Sequence, residues 1–283
     1  MKGIDIIIPV HKYDSDVQSL LTRCLNSVKE MGVESLKNNI KMDIHIVGPN
    51  ELPTDKIIKL IEWKDIFNSF NVAENTSGSF DFCSQVNFAA GELCKNDFFM
   101  IVEYDDMVTP KWVNMALPYI QKRDKCPMFL PLVEVYDIKD AVKPKYYINE
   151  IGWSSSFSDK ELGCLSNETL MDYCNFNITG AIINKAKFNK AGGLKPSIKL
   201  SFGYELMLRL THLYNISQTT EGDIFVIPKV GYFHFINRGG SLTSEYHQTM
   251  SKEEGSWWIK LATEEFTYKR DRNKIYTPEN NNK

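Results

Sequence analysis

The stretch IDIIIPVHKYDSDVQSLLTRCLNSV (Ile4–Val28) decides the fold class. Its first seven residues, Ile4 to Val10, are a near-continuous apolar run, which is what a parallel strand covered on both faces requires. A helix is predicted to follow, with Asp16 as its N-cap and Val17, Leu20, Leu21, Leu25 and Val28 on one face. The alternation continues outward, with strands expected over 42–48, 67–74 and 97–103 and helices over 55–63, 82–95 and 110–122, the last opened by Pro110. Strands and helices alternating at this spacing imply a doubly wound, mostly parallel sheet. Such sheets take ligands at the carboxyl ends of their strands.

From about residue 126 the rhythm loosens. Strands are predicted over 126–138, 143–153 and 178–184, a short helix over 166–174, an amphipathic helix over 201–214, and a pair of strands over 223–235 joined at Pro228. A further helix over 244–266 precedes a polar tail. The chain of 283 residues is 43% hydrophobic, enough for a full core, so a soluble globular protein is expected. A net charge of -3 gives no global attraction to nucleic acid or anionic membrane. Cys24, Cys83, Cys94, Cys126, Cys164 and Cys174 contain no C-x-x-C pair, so buried free thiols are expected rather than a zinc site. The apolar N-terminal run is too short to span a membrane and lacks a signal-peptide cleavage site, which makes a cytoplasmic location the expectation. Sequons at Asn75, Asn167, Asn177 and Asn215 then carry no consequence.

The oddest composition lies in FFMIVEYDDMVTP (Phe98–Pro110), where a buried strand runs into Glu103, Asp105 and Asp106. In one reading the two aspartates are turn and cap residues for the helix near Pro110. In the other they hold Mg²⁺ or Mn²⁺, hard cations that share their shell with diphosphate oxygens. Three carboxylates in four positions repel one another unless a cation or hydrogen-bond donors compensate.

Three segments in order bear on the choice. Ile4–Val28 resembles the opening strand and helix of family 2 glycosyltransferases. FCSQVNFAAGELCKNDFFMIVEYDDMVTPKWV resembles that family's Asn-x-A helix, which contains Asn87 here, followed by a strand ending in a D-x-D motif and a proline. TGAIINKAKFNKAGGLKPSIKLSFGYELMLRL resembles its acceptor-side segment, and together the matches cover roughly residues 4 to 243.

The resemblance implies a GT-A fold, a nucleotide-diphosphate sugar donor (a UDP-sugar by family default), Mn²⁺ or Mg²⁺, and inversion at the anomeric carbon. It divides the chain into a nucleotide-sugar-binding half (1–125), an acceptor-side half of the same domain (126–243) and a C-terminal helix and tail (244–283). It places Glu103, Tyr104 and Asp105 on D-x-D, with Asp105 as metal ligand, Glu103 toward ribose or a metal-bound water, and Asp106 in support. Pro9, Val10 and His11 fall under the nucleotide, Asn87 on the donor side, and His234 near the metal or diphosphate. Imidazole suits such a metal. Arg238, Ser241 and Thr243 are then candidates for phosphate oxygens.

The chain also departs from the family pattern. The second strand ends in IVGPNELPTD, so Gly48-Pro49-Asn50 cannot supply the usual base-contacting aspartate. Aligning on Arg209 puts Phe202 and Gly203 at the usual Glu-Asp pair, leaving Glu205 as the candidate catalytic base, with Asp172 or another loop acid as the alternative and a plain first-turn helix acid as the bland reading of Glu205. Trp153, Phe157, Tyr173, Phe176, Tyr204, Trp257 and Trp258 are either core or an acceptor platform. Lys269, Arg270, Arg272 and Lys274 are either solvated or contacts to an anionic acceptor. The acceptor itself, whether glycan, protein, lipid carrier or hydroxylated DNA base, is not written in the motifs. Two rival classes remain: a sugar nucleotidyltransferase, which needs a glycine-rich loop where this chain has PVHKYDSD, and a glycosyltransferase-like module that binds without turnover.

Overall fold

A computed structural model describes residues 1–49, 52–77, 79, 81–139, 142–155, 161–173, 175–198, 201–215 and 223–238, the side chains of Glu168, Met171, Asp172 and residues 213–215 excepted. The first strand, β1 (Gly3–Pro9), is buried along its whole length. It lies between β2 (Lys41–Gly48) and β4 (Phe98–Ile101), parallel to both, with β3 (Ser69–Glu74) outside β2. Continuous apolarity therefore reads out as burial on two faces. Ile4, Ile6 and Ile8 join a core under α1 (Ser15–Leu36), while Ile7 joins a second core on the opposite face.

Helix α1 is capped by Asp14, whose carboxylate accepts from Val17 N at 2.9 Å. Asp16, expected as the cap, instead lies in the first turn, where the helix dipole favours a negative charge. The helix predicted from Asp55 shrinks to one turn, α2 (Thr54–Ile57). Helix α3 (Phe82–Phe88), capped by Asp81, widens into a π turn over Ala89–Leu93. After β4 the chain forms the two-residue β5 (Met107–Val108) and then α4 (Trp112–Lys122), which starts two residues beyond Pro110 and has no capping side chain. Asp105 and Asp106 are thus not helix caps.

The second half adds β6 (Met128–Asp137), β7 (Tyr146–Ile148), β8 (Cys164–Leu165), α5 (Asn167–Asp172), β9 (Ile182–Asn184), α6 (Lys185–Lys190), α7 (Phe202–Asn215) and β10 (Ile224–Ile236). These strands extend the first four into a single sheet of order β3-β2-β1-β4-β9-β6-β10-β5, with β7 on β6 and β8 on β10. The expected strand pair around Pro228 is one strand whose register against β6 shifts between Val226 and Val230 and again before Tyr232. Proline has no N–H to give the ladder, and a bulge accommodates it without ending the strand.

β9 runs antiparallel to both β4 and β6, and β10 runs parallel to β6. The carboxyl ends of β1, β4, β6 and β10 therefore open on one edge. Trp112, Val113, Leu21 and Leu25 pack one face of the sheet; Val86, Phe188, Leu206 and Leu208 pack the other. The five described cysteines are free thiols, four of them buried, and Cys174 lies outside the described residues. No helix among the described residues is long and apolar enough to cross a membrane.

Candidate active site

The acidic turn after β4 is held from below. Val102 N donates to Ile7 O at 2.9 Å, and Glu103 N donates to the Tyr232 hydroxyl at 2.9 Å. Tyr232 is fully buried in β10 against Gly180, whose φ is +70°; a Cβ there would sit 2.6 Å from the tyrosine ring. The Gly180 carbonyl in turn accepts from Trp112 Nε1 at 2.9 Å. A chain of close contacts thus fixes the height at which Glu103 leaves the sheet, and Asp106 N closes the turn onto Glu103 O at 3.0 Å.

Asp106 is 1% exposed and both of its oxygens are engaged. Oδ1 accepts from Phe235 N at 2.9 Å, and Oδ2 lies 2.8 Å from His234 Nδ1. A proton on Nδ1 turns Nε2 of the same ring into a lone-pair donor, the arrangement in which a carboxylate orients a metal-binding imidazole. Burial disfavours the charged imidazole, but the charge and hydrogen bond of Asp106 together with the charges of Glu103 and Asp105 outweigh it and raise the His234 pKa to about 9.

Glu103 shares this corner. One ligand atom each of Glu103, Asp106 and His234 falls within 4.8 Å of the others. Burial, then the charges of Asp106 and Asp105, push the Glu103 carboxyl up to about 8. Among the described residues no hydrogen-bond donor to that carboxylate is found, and carboxylate oxygens with one imidazole nitrogen could hold Mn²⁺ or Mg²⁺. A second cluster, Asp5, His45 and Cys94, is buried and already satisfied: Asp5 binds His45 Nε2 at 2.7 Å and accepts from Asn96 N at 2.7 Å, and burial pushes the Cys94 thiol up. It reads as a structural polar network.

Asp105 points elsewhere. Its carboxylate pairs with Arg238 at 2.7 Å, and burial followed by repulsion from Asp106 raises its pKa. Arg238 also reaches the Tyr104 hydroxyl at 3.3 Å, and Tyr104 packs against His11 with ring centroids 5.4 Å apart. Pro9 and Val10 are buried in the floor beneath, with Val10 N on Val47 O at 2.8 Å. Asn87, expected on the donor side, exchanges two 2.7 Å hydrogen bonds with the Leu194 backbone and ties α3 to the turn before α7. Ser241 and Thr243 lie outside the described residues.

Glu205, expected as the catalytic base, is fully buried. Its Oε1 accepts from Arg209 Nε at 2.9 Å and pairs with Lys195 at 3.2 Å, while Oε2 holds the Arg209 terminal nitrogen. Arg209 extends the clamp to Ala191 O and Gly193 O. Both oxygens of Glu205 face inward onto cations, because the residue sits on a helix that is apolar around most of its surface. Asp172 closes α5, and its side chain lies outside the described part. Of the candidate aromatics, Phe176 and Tyr204 are core, Trp153 donates to Val226 O and Tyr173 packs on Phe176. Phe157, Trp257, Trp258 and the basic tail are outside the described residues.

Arg23, which the motif reading missed, donates to the Asp105 carbonyl and lays its guanidinium 4.1 Å over the Phe235 ring. One turn on, the Ser27 hydroxyl accepts from Val108 N at 3.1 Å. The available signal was a pair of polar residues four apart beside the apolar stripe of α1, a face addressed to the 105–108 segment.

No protein-family model matches the sequence, and no curated protein is similar to it at the sequence level. Solved structures are similar in fold. Residues 1–349 of S. aureus TarS in complex with UDP-GlcNAc align with a TM-score of 0.59 at 14% identity, covering 92% of this chain and 65% of that one. The same TarS fragment in complex with UDP aligns with a TM-score of 0.55 at 14% identity, covering 91% and 78%. A mannosyltransferase from Pyrobaculum calidifontis, in complex with GDP-Man and Mn²⁺, aligns with a TM-score of 0.58 at 10% identity, covering 84% and 58%. The chain thus has the α/β fold of these structures, built on a mostly parallel sheet flanked by helices, and spans less than two thirds of two of them.

Proposed function

We propose that this chain is a metal-dependent glycosyltransferase of the GT-A type, moving a sugar from a nucleoside diphosphate donor to an acceptor hydroxyl with inversion. The observation that carries the reading is the meeting of Glu103, Asp106, His234 and the Asp105–Arg238 pair at the carboxyl edge of the sheet. In this reading Glu103 and His234 Nε2 hold the cation, Asp106 orients His234, and Asp105 completes the set when Arg238 leaves it. Bound there, Mn²⁺ or Mg²⁺ would offset charge on the departing diphosphate. Arg238 and Ser241 serve the phosphates, and His11 with Tyr104 walls the nucleotide. The lack of a base-contacting acid at Gly48-Pro49 makes base identity a matter for the donor panel below.

The acceptor proton needs a carboxylate within about 3 Å of the attacking oxygen. Glu205, enclosed by Arg209 and Lys195, does not meet that need, and the role passes to Asp172 or another loop acid, the alternatives from the sequence. The same enclosure favours a second reading, a module that binds sugar nucleotide without turnover. The two separate on incubation with UDP-GlcNAc, other UDP-sugars and GDP-Man in Mn²⁺. A transferase is expected to release nucleoside diphosphate slowly from one donor, water replacing the acceptor. Tight binding with no release from any donor, even with candidate acceptors added, would favour the module.

A further inference from the structure

Two of the described arginines that bind carboxylates, Arg209 and Arg238, are held in different ways. Arg209 is fully buried, with Nε and both terminal nitrogens bonded, two of them side-on to Glu205. Arg238 grips Asp105 with one terminal nitrogen, shared with the Tyr104 hydroxyl, and its buried Nε has no partner among the described residues. Guanidinium is a planar fork that binds two oxygens at once when they are offered. Among the described residues one edge of it is used, although both partners are 15% exposed and largely withdrawn from water.

Asp105 is the fixed member of the pair. Its carbonyl accepts from Arg23, and the 103–106 turn is closed by a backbone hydrogen bond. Arg238 stands two residues past the end of β10, after Asn237, whose φ of +62° turns the chain off the sheet. Its contacts with the described residues, to Asp105 and Tyr104, are at the tip of a long side chain. While they last, Asp105 is unavailable to a cation that Glu103 and His234 are placed to share.

We propose that Arg238 is a movable clamp. It neutralises Asp105 while the site is empty and passes to the donor diphosphate when a divalent cation comes to Asp105, so cation and nucleoside diphosphate bind cooperatively. The proposal rests on the donor-site reading above. Each ligand removes an obstacle to the other: the cation frees the arginine, and the phosphates give its unused edge two oxygens. Coupling of this kind is reciprocal, so the factor by which UDP tightens Mn²⁺ must equal the factor by which Mn²⁺ tightens UDP.

The test is Mn²⁺ binding followed by the paramagnetic resonance of free Mn²⁺, with and without UDP, on the wild type, Arg238→Gln and Arg238→Lys, each checked for folding by circular dichroism. The wild type is expected to bind Mn²⁺ about tenfold more tightly with UDP present. Arg238→Gln should bind Mn²⁺ alone more tightly than the wild type, bind UDP more weakly, and lower the coupling factor several-fold, leaving the part that comes from the direct attraction of cation and diphosphate. Arg238→Lys, which keeps the charge but not the fork, should retain part of the coupling. Full coupling in Arg238→Gln, or weaker Mn²⁺ binding by that variant without UDP, overturns the clamp while leaving the donor site standing. A wild type that binds neither Mn²⁺ nor UDP overturns both.

Discussion

Glu103→Gln is expected to stabilise the metal-free protein above neutral pH and, in the same molecule, to abolish Mn²⁺-dependent nucleotide binding. Burial and the neighbouring Asp106 and Asp105 hold the Glu103 carboxyl at about 8, far above its value of about 4.3 in an unfolded chain. Between those values the native state keeps a proton that the unfolded state has released, so stability falls as pH rises through the window and the full penalty remains above it. His234 works in the same direction. With a folded pKa raised to about 9, its stabilising charge is fully present below about 6.5 and is lost as pH climbs through 9. Glutamine removes the first contribution and keeps the shape.

Melting curves in chelator from pH 5 to 9 should therefore show a flatter decline for Glu103→Gln and a higher Tm than the wild type at pH 8. Calorimetry of the same variant should show no gain in UDP affinity on adding Mn²⁺. A variant that melts lower than the wild type at pH 8, or that keeps its metal dependence, would contradict the place given to Glu103.

Arg209→Met is expected to cost about 3–5 kcal/mol of stability, because it strands the Glu205 carboxylate in the core with Lys195 alone. The double variant Arg209→Met with Glu205→Leu should recover part of that loss, since it removes the stranded carboxylate, although Lys195 then loses its pairing with Glu205. Glu205→Gln separates this structural role from a catalytic one. It should lower the yield of folded protein and the denaturation midpoint while leaving turnover per folded molecule within a few fold. A folded Glu205→Gln protein with turnover lost by orders of magnitude would return the base to Glu205.

Much of the frame was legible in the chain. An unbroken apolar run such as Ile4–Val10 has one common solution, a strand with cover on both faces, and β1 adopts it. The overextended α2 shows the limit of the same logic. Ile57 and Ile61 are buried and Ile58, Leu60 and Trp63 pack against the core, but from one helical turn and the turns after it. Apolar spacing reports contact with the core, and several backbone paths satisfy it. Pro228 was read as a break for a comparable reason, since a missing N–H can be absorbed by a bulge as well as by a strand end.

The site was legible in composition and not in pairing. Crowded carboxylates at a strand end called for compensation, which the structure supplies from residues remote in sequence. Asp106 meets His234 across 128 positions, and Arg238 comes to Tyr104 across 134. Local sequence could not tell a helix cap from a histidine-orienting acid, because an aspartate before a helix suits both. Glu205 shows the converse case. Its i,i+4 spacing to Arg209 was visible, yet only the packing of α7 in the core shows that the pair faces inward.

Isothermal titration of UDP into the wild-type protein, once with Mn²⁺ and once with chelator, tests the assignment of this corner as a metal-dependent donor site most directly. UDP is expected to bind in Mn²⁺ and to lose at least tenfold in affinity in chelator, with GDP run alongside to fix the base. Equal affinity in both conditions, or no binding of either nucleotide, would contradict it.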